Sequence, residues 1–214
     1  SGFYKKTDEG ILSVDLKTGE YKPQKKVVFD GFRAAKNFHR ISNRIKALAF
    51  NDDKAGKFFW EITADSLIYA ANRIPEISDD IINIDNAMKW GYGWELGPFE
   101  CWDAMGVRST VIRMKKENKK VPAWVEEMLS SGRETFYELK GGEMTYYDVL
   151  TSSVKSIKQD PNIINLNLKK TSKSLIKKDW SASLIYLGDA VINVEFHSAL
   201  QPTLNLSLIH ISEP

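Results

Sequence analysis

Residues 85–106 constrain the fold of this chain more than any other stretch. They run Asp85-Asn86-Ala87-Met88-Lys89-Trp90-Gly91-Tyr92-Gly93-Trp94-Glu95-Leu96-Gly97-Pro98-Phe99, and continue through Glu100, Cys101, Trp102, Asp103, Ala104 and Met105 to Gly106. The pattern predicts the end of one helix, a glycine and aromatic loop, and a short second helix opened by Pro98. The fixed φ and missing N–H of proline suit the first helical position. Gly91, Gly93 and Gly97 are expected where a Cβ would clash, and Gly106 can close the second helix with positive φ. Such a loop holds two helices close together.

The flanking sequence continues the helical theme. Apolar residues recur at helical spacing over about 31–50 (Phe32, Ala35, Phe38, Ile41, Ile45, Leu48, Ala49), which predicts one helix there. A second helix, about 54–74, carries Phe58, Phe59, Ile62, Leu67, Ile68 and Ala71, is expected to be largely buried, and is ended by Pro75. Ser78, Asp79 and Asp80 cap a third helix, which places Ile81, Ile84, Ala87 and Met88 on one face. Helices at about 109–118 and 122–129 follow Gly106.

Small β units flank these helices. Residues 3–15 read as a hairpin with a short strand near Tyr21, and 134–147 as a second hairpin around Lys140-Gly141-Gly142. Phe136-Tyr137 echoes Phe3-Tyr4, with Tyr146-Tyr147 matched to Tyr21. Residues 160–166 read as a connector with a short strand, and Lys169, Lys170, Lys173, Lys177 and Lys178 as a linker or loop. A further hairpin is expected from Ser183-Leu184-Ile185-Tyr186-Leu187 and the run from Ala190 to His197, with Gly188-Asp189 as its turn. A two-stranded hairpin is marginal alone, so it reads as the opening of a β-containing domain.

Composition narrows the function. The 214 residues suffice for one large or two small domains, and 43% hydrophobic with 27% charged residues is ordinary for a globular protein. Thirty basic against 28 acidic residues give +2, so no global field marks a nucleic-acid binder. The densest basic run, residues 115–120, reads as a solvated helix end. The single cysteine, Cys101, excludes an internal disulfide and reads as a small buried hydrophobe. No apolar run reaches a membrane span, and no signal-peptide layout opens the chain, so a cytoplasmic setting is expected.

The order Asp85, Gly91, Gly93, Gly97-Pro98-Phe99, Asp103 and Gly106 resembles the signature of the C-terminal helical domain of 3-hydroxyacyl-CoA dehydrogenases. Leu187-Gly188-Asp189-Ala190-Val191 with residues 194–198 resembles the first strands of the enoyl-CoA hydratase (crotonase) domain found in a bacterial bifunctional β-oxidation enzyme. The resemblance implies a mainly α fold of the 6-phosphogluconate dehydrogenase C-terminal-like kind with small β-hairpins, then the start of an incomplete α/β crotonase domain. It implies the tail of a first helical domain at 1–26, a second at 27–147, a linker at 148–180 and the hydratase start at 181–205. Residues 206–214 resemble a translated DNA-library adapter, so the chain is expected to be an internal fragment and His210 to lack meaning.

The resemblance also implies a parent that oxidises 3-hydroxyacyl-CoA with NAD and hydrates enoyl-CoA. The expected partners are an acyl-CoA substrate, an upstream Rossmann domain, a downstream hydratase domain and further copies in a homo-oligomer. Within this chain no catalytic, cofactor-binding or metal residue is expected. No G-x-G-x-x-G occurs, and Gly91-Tyr92-Gly93 lies between helices rather than after a strand. His39 reads as a boundary or surface residue and His197 as structural, and no histidine spacing suggests a metal. Asp52-Asp53, Asp79-Asp80 and Glu126-Glu127 read as caps or exposed pairs. Asn43-Arg44-Ile45 lacks the Pro-Gly-Phe that precedes the family's substrate-contacting Asn-Arg.

Trp90, Tyr92, Trp94, Phe99 and Trp102 read as core packing at the corner, with an acyl-chain groove or a partner surface as alternatives. Asp103 is expected to orient the loop by accepting backbone N–H bonds. The fragment is expected to be inactive alone. The rival reading is a non-catalytic helical interaction module, and a dehydrogenase without a hydratase partner is a third.

Overall fold

A computed structural model describes residues 2–8, 10–23, 27–140, 143–158, 163–171 and 174–197. The adapter-like segment 206–214 and His210 lie outside them, as do Lys173 and the end of the expected hydratase start. Two compact units divide the chain, residues 1–63 and 64–214.

The first unit opens with β1 (Tyr4–Thr7), β2 (Gly10–Val14) and β3 (Tyr21–Pro23), an antiparallel meander in the order β1-β2-β3. The Asp15 carboxylate shapes the β2–β3 turn by accepting from the Lys17 amide at 2.9 Å. The single helix expected over 31–50 is two, α1 (Asp30–Lys36) and α2 (Ile41–Ala49). Asn37 and Phe38 donate to Ala34 and Ala35, a tightened i→i−3 last turn, and Arg40 is extended at φ −76 and ψ 131. An extended residue cannot pass on the i→i−4 ladder, whatever the apolar spacing. Asp53 ties the start of α1 to the start of the helix that follows α2, accepting from the Gly31 and Gly56 amides at 2.7 Å each.

Helix α3 (Lys54–Asn72) is amphipathic rather than largely buried. Its buried positions Trp60, Ala64, Leu67 and Ala71 recur at i, i+4, i+7 and i+11, whereas Phe58 and Ile62, expected inside, are exposed with Tyr69. The buried face thus alternates the large Trp60 and Leu67 with the small Ala64 and Ala71.

The second unit packs α4 (Ile81–Tyr92), α5 (Pro98–Met105), α6 (Val107–Lys116) and α7 (Ala123–Ser130) around Phe99, Trp102, Met105, Val107, Met114 and Met128, all fully buried. The start of α4 follows its capping signal: the Asp80 carboxylate accepts from the Asn83 amide at 2.8 Å. The inward face of α4 differs from the expected one, because Ala87 is exposed and Asp85 is buried. The basic run at the end of α6 is not simply solvated: Lys115 pairs with Glu126 and Lys119 with Asp65, each at 2.7 Å.

A second meander follows, β4 (Tyr137–Lys140), β5 (Glu143–Asp148) and β6 (Ser153–Ser156), so the hairpin expected at 134–147 gains a third strand from residues read as linker. The stretch read as a polar linker or loop holds α8 (Leu166–Thr171) and β7 (Leu175–Lys178). No strand is present at 163–165. β7 forms a third sheet with β8 (Ala182–Gly188) and β9 (Val191–Phe196), so the expected two-stranded hairpin has a third strand. Lysines at 177 and 178 hid β7, because an edge strand tolerates charge that a central strand does not. The β8–β9 turn is Asp189-Ala190, both at positive φ (50 and 60), one residue later than the sequence suggested. The described elements thus combine a helical core with three small antiparallel sheets.

Candidate functional site

Four elements of the second unit meet at the corner between α4 and α5. Asp85, on α4 and 1% exposed, aims its carboxylate at the start of α5. Its Oδ1 accepts from the Phe99 amide at 2.8 Å, and its Oδ2 accepts from the Glu100 amide at 3.1 Å and from the Tyr137 hydroxyl at 2.9 Å. These amides belong to the first turn of α5, where helical N–H groups have no intrahelical partner and a negative charge is favoured. Glu100 completes the turn: its carboxylate accepts from the Gly97 amide at 2.8 Å and from Lys89 Nζ at 2.7 Å.

The glycines divide by role. A Cβ at Gly97 would overlap the Cα, Cβ and Cγ of Asp85, so the two helices touch there through bare backbone. Gly93 ends α4 at φ 68 and ψ 27, the left-handed cap, and Gly106 joins α5 to α6 at φ 93. Gly91 differs from expectation: it lies within α4 with open space where its Cβ would be. We therefore predict opposite effects for two alanine substitutions. Gly97→Ala should destabilise the chain by about 3 kcal/mol, since overpacking against backbone has no flexible atom to yield. Gly91→Ala should be neutral or stabilise by roughly 0.5 kcal/mol through helix propensity. Urea unfolding of both variants checks the pair.

Asp103 does not orient the loop, as the sequence suggested; it reaches across to the strand layer. Its Oδ1 and Oδ2 accept from the Phe136 and Tyr137 amides at 2.7 and 2.8 Å. The Phe136 ring then fills a cage made by Phe99, Trp102 and Trp124, with centroid separations of 5.1, 5.3 and 5.7 Å. The five corner aromatics therefore split. Phe99 and Trp102 are core, as read, but Trp90, Tyr92 and Trp94 are exposed around the end of α4.

Electrostatics follow from burial. Loss of solvent pushes the Asp85 carboxyl up to about 6 against the pull of its Phe99 and Tyr137 hydrogen bonds. The same cause takes Asp103 to about 7, against its bonds to Phe136 and Tyr137. Desolvation likewise raises the Tyr137 phenol and lifts the Cys101 thiol to about 12, which favours its protonated form. A carboxyl whose folded pKa exceeds its unfolded value holds extra protons in the folded state between the two. Stability from Asp85 and Asp103 is thus fully present below about pH 4 and is lost as pH rises through 6–7.

Asp148 acts oppositely. Its burial is outweighed by hydrogen bonds from Lys155 and Thr151, which hold it at about 2, so its contribution disappears as pH falls below 4. Melting temperature should therefore peak near pH 4–5 and fall towards pH 8, with a smaller fall in Asp103→Asn. A profile that rises from pH 5 to 8 would contradict this.

Asp103 and Tyr137 also border an open cleft of about 430 Å³, lined besides by Lys89, Met144 and Leu168. The carboxylates facing it are committed, Asp103 to backbone donors and Glu100 to the Gly97 amide and Lys89, and among the described residues no histidine or thiol lines it. Among the described residues no three His, Cys, Asp or Glu side chains converge to hold a metal. His39 is exposed in the break between α1 and α2. His197 Nε2 lies 2.9 Å from Ser183 Oγ and 3.7 Å from Glu195 Oε2. One nitrogen faces both groups, so the three do not form a relay in which the acid orients the opposite ring nitrogen.

Tyr137, Phe136 and Glu100 are the members of the corner that sequence reasoning missed. Glu100 was legible, as the acid three residues after the α5 N-cap; the contacts of Tyr137 and Phe136 span too many residues for a local signal.

Comparison with known proteins shows what the chain is similar to. Over 197 residues, 92% of its length, the chain is 42% identical to a probable 3-hydroxyacyl-CoA dehydrogenase of Bacillus subtilis. The resemblance to 3-hydroxyacyl-CoA dehydrogenases therefore extends along nearly the whole chain. It spans 25% of that dehydrogenase's length. Fatty acid oxidation complex trifunctional enzymes of Rickettsia felis and Rickettsia prowazekii are 43% and 40% identical over 58 residues, 27% of the chain and 8% of theirs. No family model and no solved structure matches. The dehydrogenase name implies NAD, but the residues at this corner do not fit a dinucleotide. The start of α5, where a pyrophosphate would profit from free N–H groups, is filled by the Asp85 and Glu100 carboxylates.

Proposed function

We propose that this chain is the helical part of a cytoplasmic fatty-acid β-oxidation enzyme that oxidises 3-hydroxyacyl-CoA to 3-ketoacyl-CoA with NAD and also hydrates enoyl-CoA. The observation that carries the reading is the 42% identity to a dehydrogenase over 197 residues, on a chain whose Asp85, Gly97 and Asp103 build one buried corner. In this reading residues 1–26 end a first helical domain of the 6-phosphogluconate dehydrogenase C-terminal-like kind, and 27–147 form a second. Residues 148–180 connect it to a hydratase domain that starts at 181–205. NAD is held by a dinucleotide-binding domain elsewhere in the longer protein, and this chain shields and packs the acyl-CoA site.

The exposed Trp90, Tyr92 and Trp94 fit that shielding role, because rigid amphipathic rings cover an acyl chain or a neighbouring domain at little entropic cost. The same exposure supports the alternative, a non-catalytic interaction module of this fold.

Sequencing the source locus across both ends of the frame, followed by assay of the full-length protein, tests the reading. NADH formation from 3-hydroxyacyl-CoA by the long protein, and none by residues 1–214 alone, is the expected result. A locus that encodes no dinucleotide-binding domain would overturn it in favour of the module.

A further inference from the structure

The two meanders are the same object repeated at a spacing of 133 residues. Every paired position in the first recurs in the second: Tyr4 faces Ser13 as Tyr137 faces Tyr146, and Val14 faces Tyr21 as Tyr147 faces Val154. The ladder closes alike, with Val14 donating to the Phe3 carbonyl and Tyr147 to the Phe136 carbonyl, each at 2.9 Å. The turns match in chemistry. Asp15 pairs with Lys22 at 2.8 Å and Asp148 with Lys155 at 2.6 Å, and each turn carries a positive φ at the same place, Gly19 and Ser152. This register also corrects the sequence alignment, since Tyr21 corresponds to Val154 rather than to Tyr146 or Tyr147.

The surroundings differ sharply. Phe136 is fully buried and its amide and that of Tyr137 are held by Asp103, whereas Phe3 and Tyr4 are 69% and 65% exposed. Tyr4 and Ser13 form a non-hydrogen-bonded pair, so the Tyr4 amide points off the free edge of β1 as the Tyr137 amide points off β4. An exposed Phe-Tyr on an open sheet edge, in a unit whose twin is caged, is half of an interface.

We propose that residues 2–22 dock against a second helical unit of the same kind, elsewhere in the longer protein, which supplies an aromatic cage for Phe3 and an aspartate for the Phe3 and Tyr4 amides. Another copy of this chain does not serve, because its cage is already filled by its own Phe136. The Bacillus subtilis relative, four times as long as the matched span, shows that such proteins have room for that unit. The proposal rests on the reading of residues 1–26 as the end of a helical unit and not on the activity.

Hydrogen exchange read by mass spectrometry on a peptide covering residues 2–7 tests it, in the 214-residue chain and in the full-length protein from the source locus. The amides should exchange rapidly in the short chain and at least tenfold more slowly, roughly, in the long one. Phe3→Ala should lower the melting temperature of the long protein while leaving that of the short chain unchanged. Equal exchange in both proteins, a silent Phe3→Ala in the long one, or a locus with no preceding helical unit would overturn the proposal. NADH formation assayed in parallel separates the two ideas: an active protein with an unprotected Phe3 sinks only the docking, and an inactive one with a protected Phe3 sinks only the activity.

Discussion

Phe136→Ala is expected to lower the unfolding free energy by about 3–5 kcal/mol, the usual cost of emptying a buried phenylalanine site. The ring is fully buried and touches three aromatic neighbours from α5 and α7, Phe99, Trp102 and Trp124. Trp124 is fixed in turn by stacking on Tyr147 and by a 3.2 Å bond from its Nε1 to the Ala71 carbonyl, so the cage cannot collapse cheaply into the void. Phe136→Leu keeps most of the volume and should cost less than half as much. Urea titration followed by tryptophan fluorescence reads both variants, since Trp102 and Trp124 line the site. A loss below roughly 1 kcal/mol for the alanine variant would show that strand β4 is not anchored through this ring.

Asp85→Ala is expected to cost about 3 kcal/mol or more. It leaves the Phe99 and Glu100 amides and the Tyr137 hydroxyl without their acceptor, in a place with almost no solvent. Each orphaned donor carries a penalty of about 1–3 kcal/mol, reduced where water enters. Asp85→Asn retains one acceptor oxygen and should fall between. The decisive comparison is non-additivity: Tyr137→Phe should cost clearly less in the Asp85→Ala background than alone, because both changes remove the same bond. Equal costs in the two backgrounds would mean that the hydroxyl bond contributes nothing.

Much of the corner was legible because its signals are local. Asp80 before α4, Pro98 at the start of α5 and Gly106 at its end each act within one turn of chain, so residue type alone nearly dictates the backbone there. The positive φ at Gly93 belongs to the same class. The misread elements are those where local preference was outweighed. The apolar spacing of residues 31–50 satisfied one long helix, but the extended Arg40 broke it. Phe58 and Ile62 looked like core by hydropathy, yet α3 turns Trp60, Ala64, Leu67 and Ala71 inward instead. Lys177 and Lys178 looked like linker, yet a lysine side chain can run off the edge of a short sheet.

Amino-acid order by itself determined the helical punctuation around residues 85–106, the two Phe-Tyr hairpins and the resemblance to 3-hydroxyacyl-CoA dehydrogenases, because caps, turns and alternation depend on neighbours a few residues apart. Tertiary structure alone decided what the two aspartates do. Asp85 and Asp103 each lie far in sequence from the amides they hold, 14 residues to Phe99 and 33 to Phe136. A carboxylate becomes a backbone anchor only when packing has removed the water that would otherwise solvate it, and that removal is a property of the assembled core rather than of any local stretch.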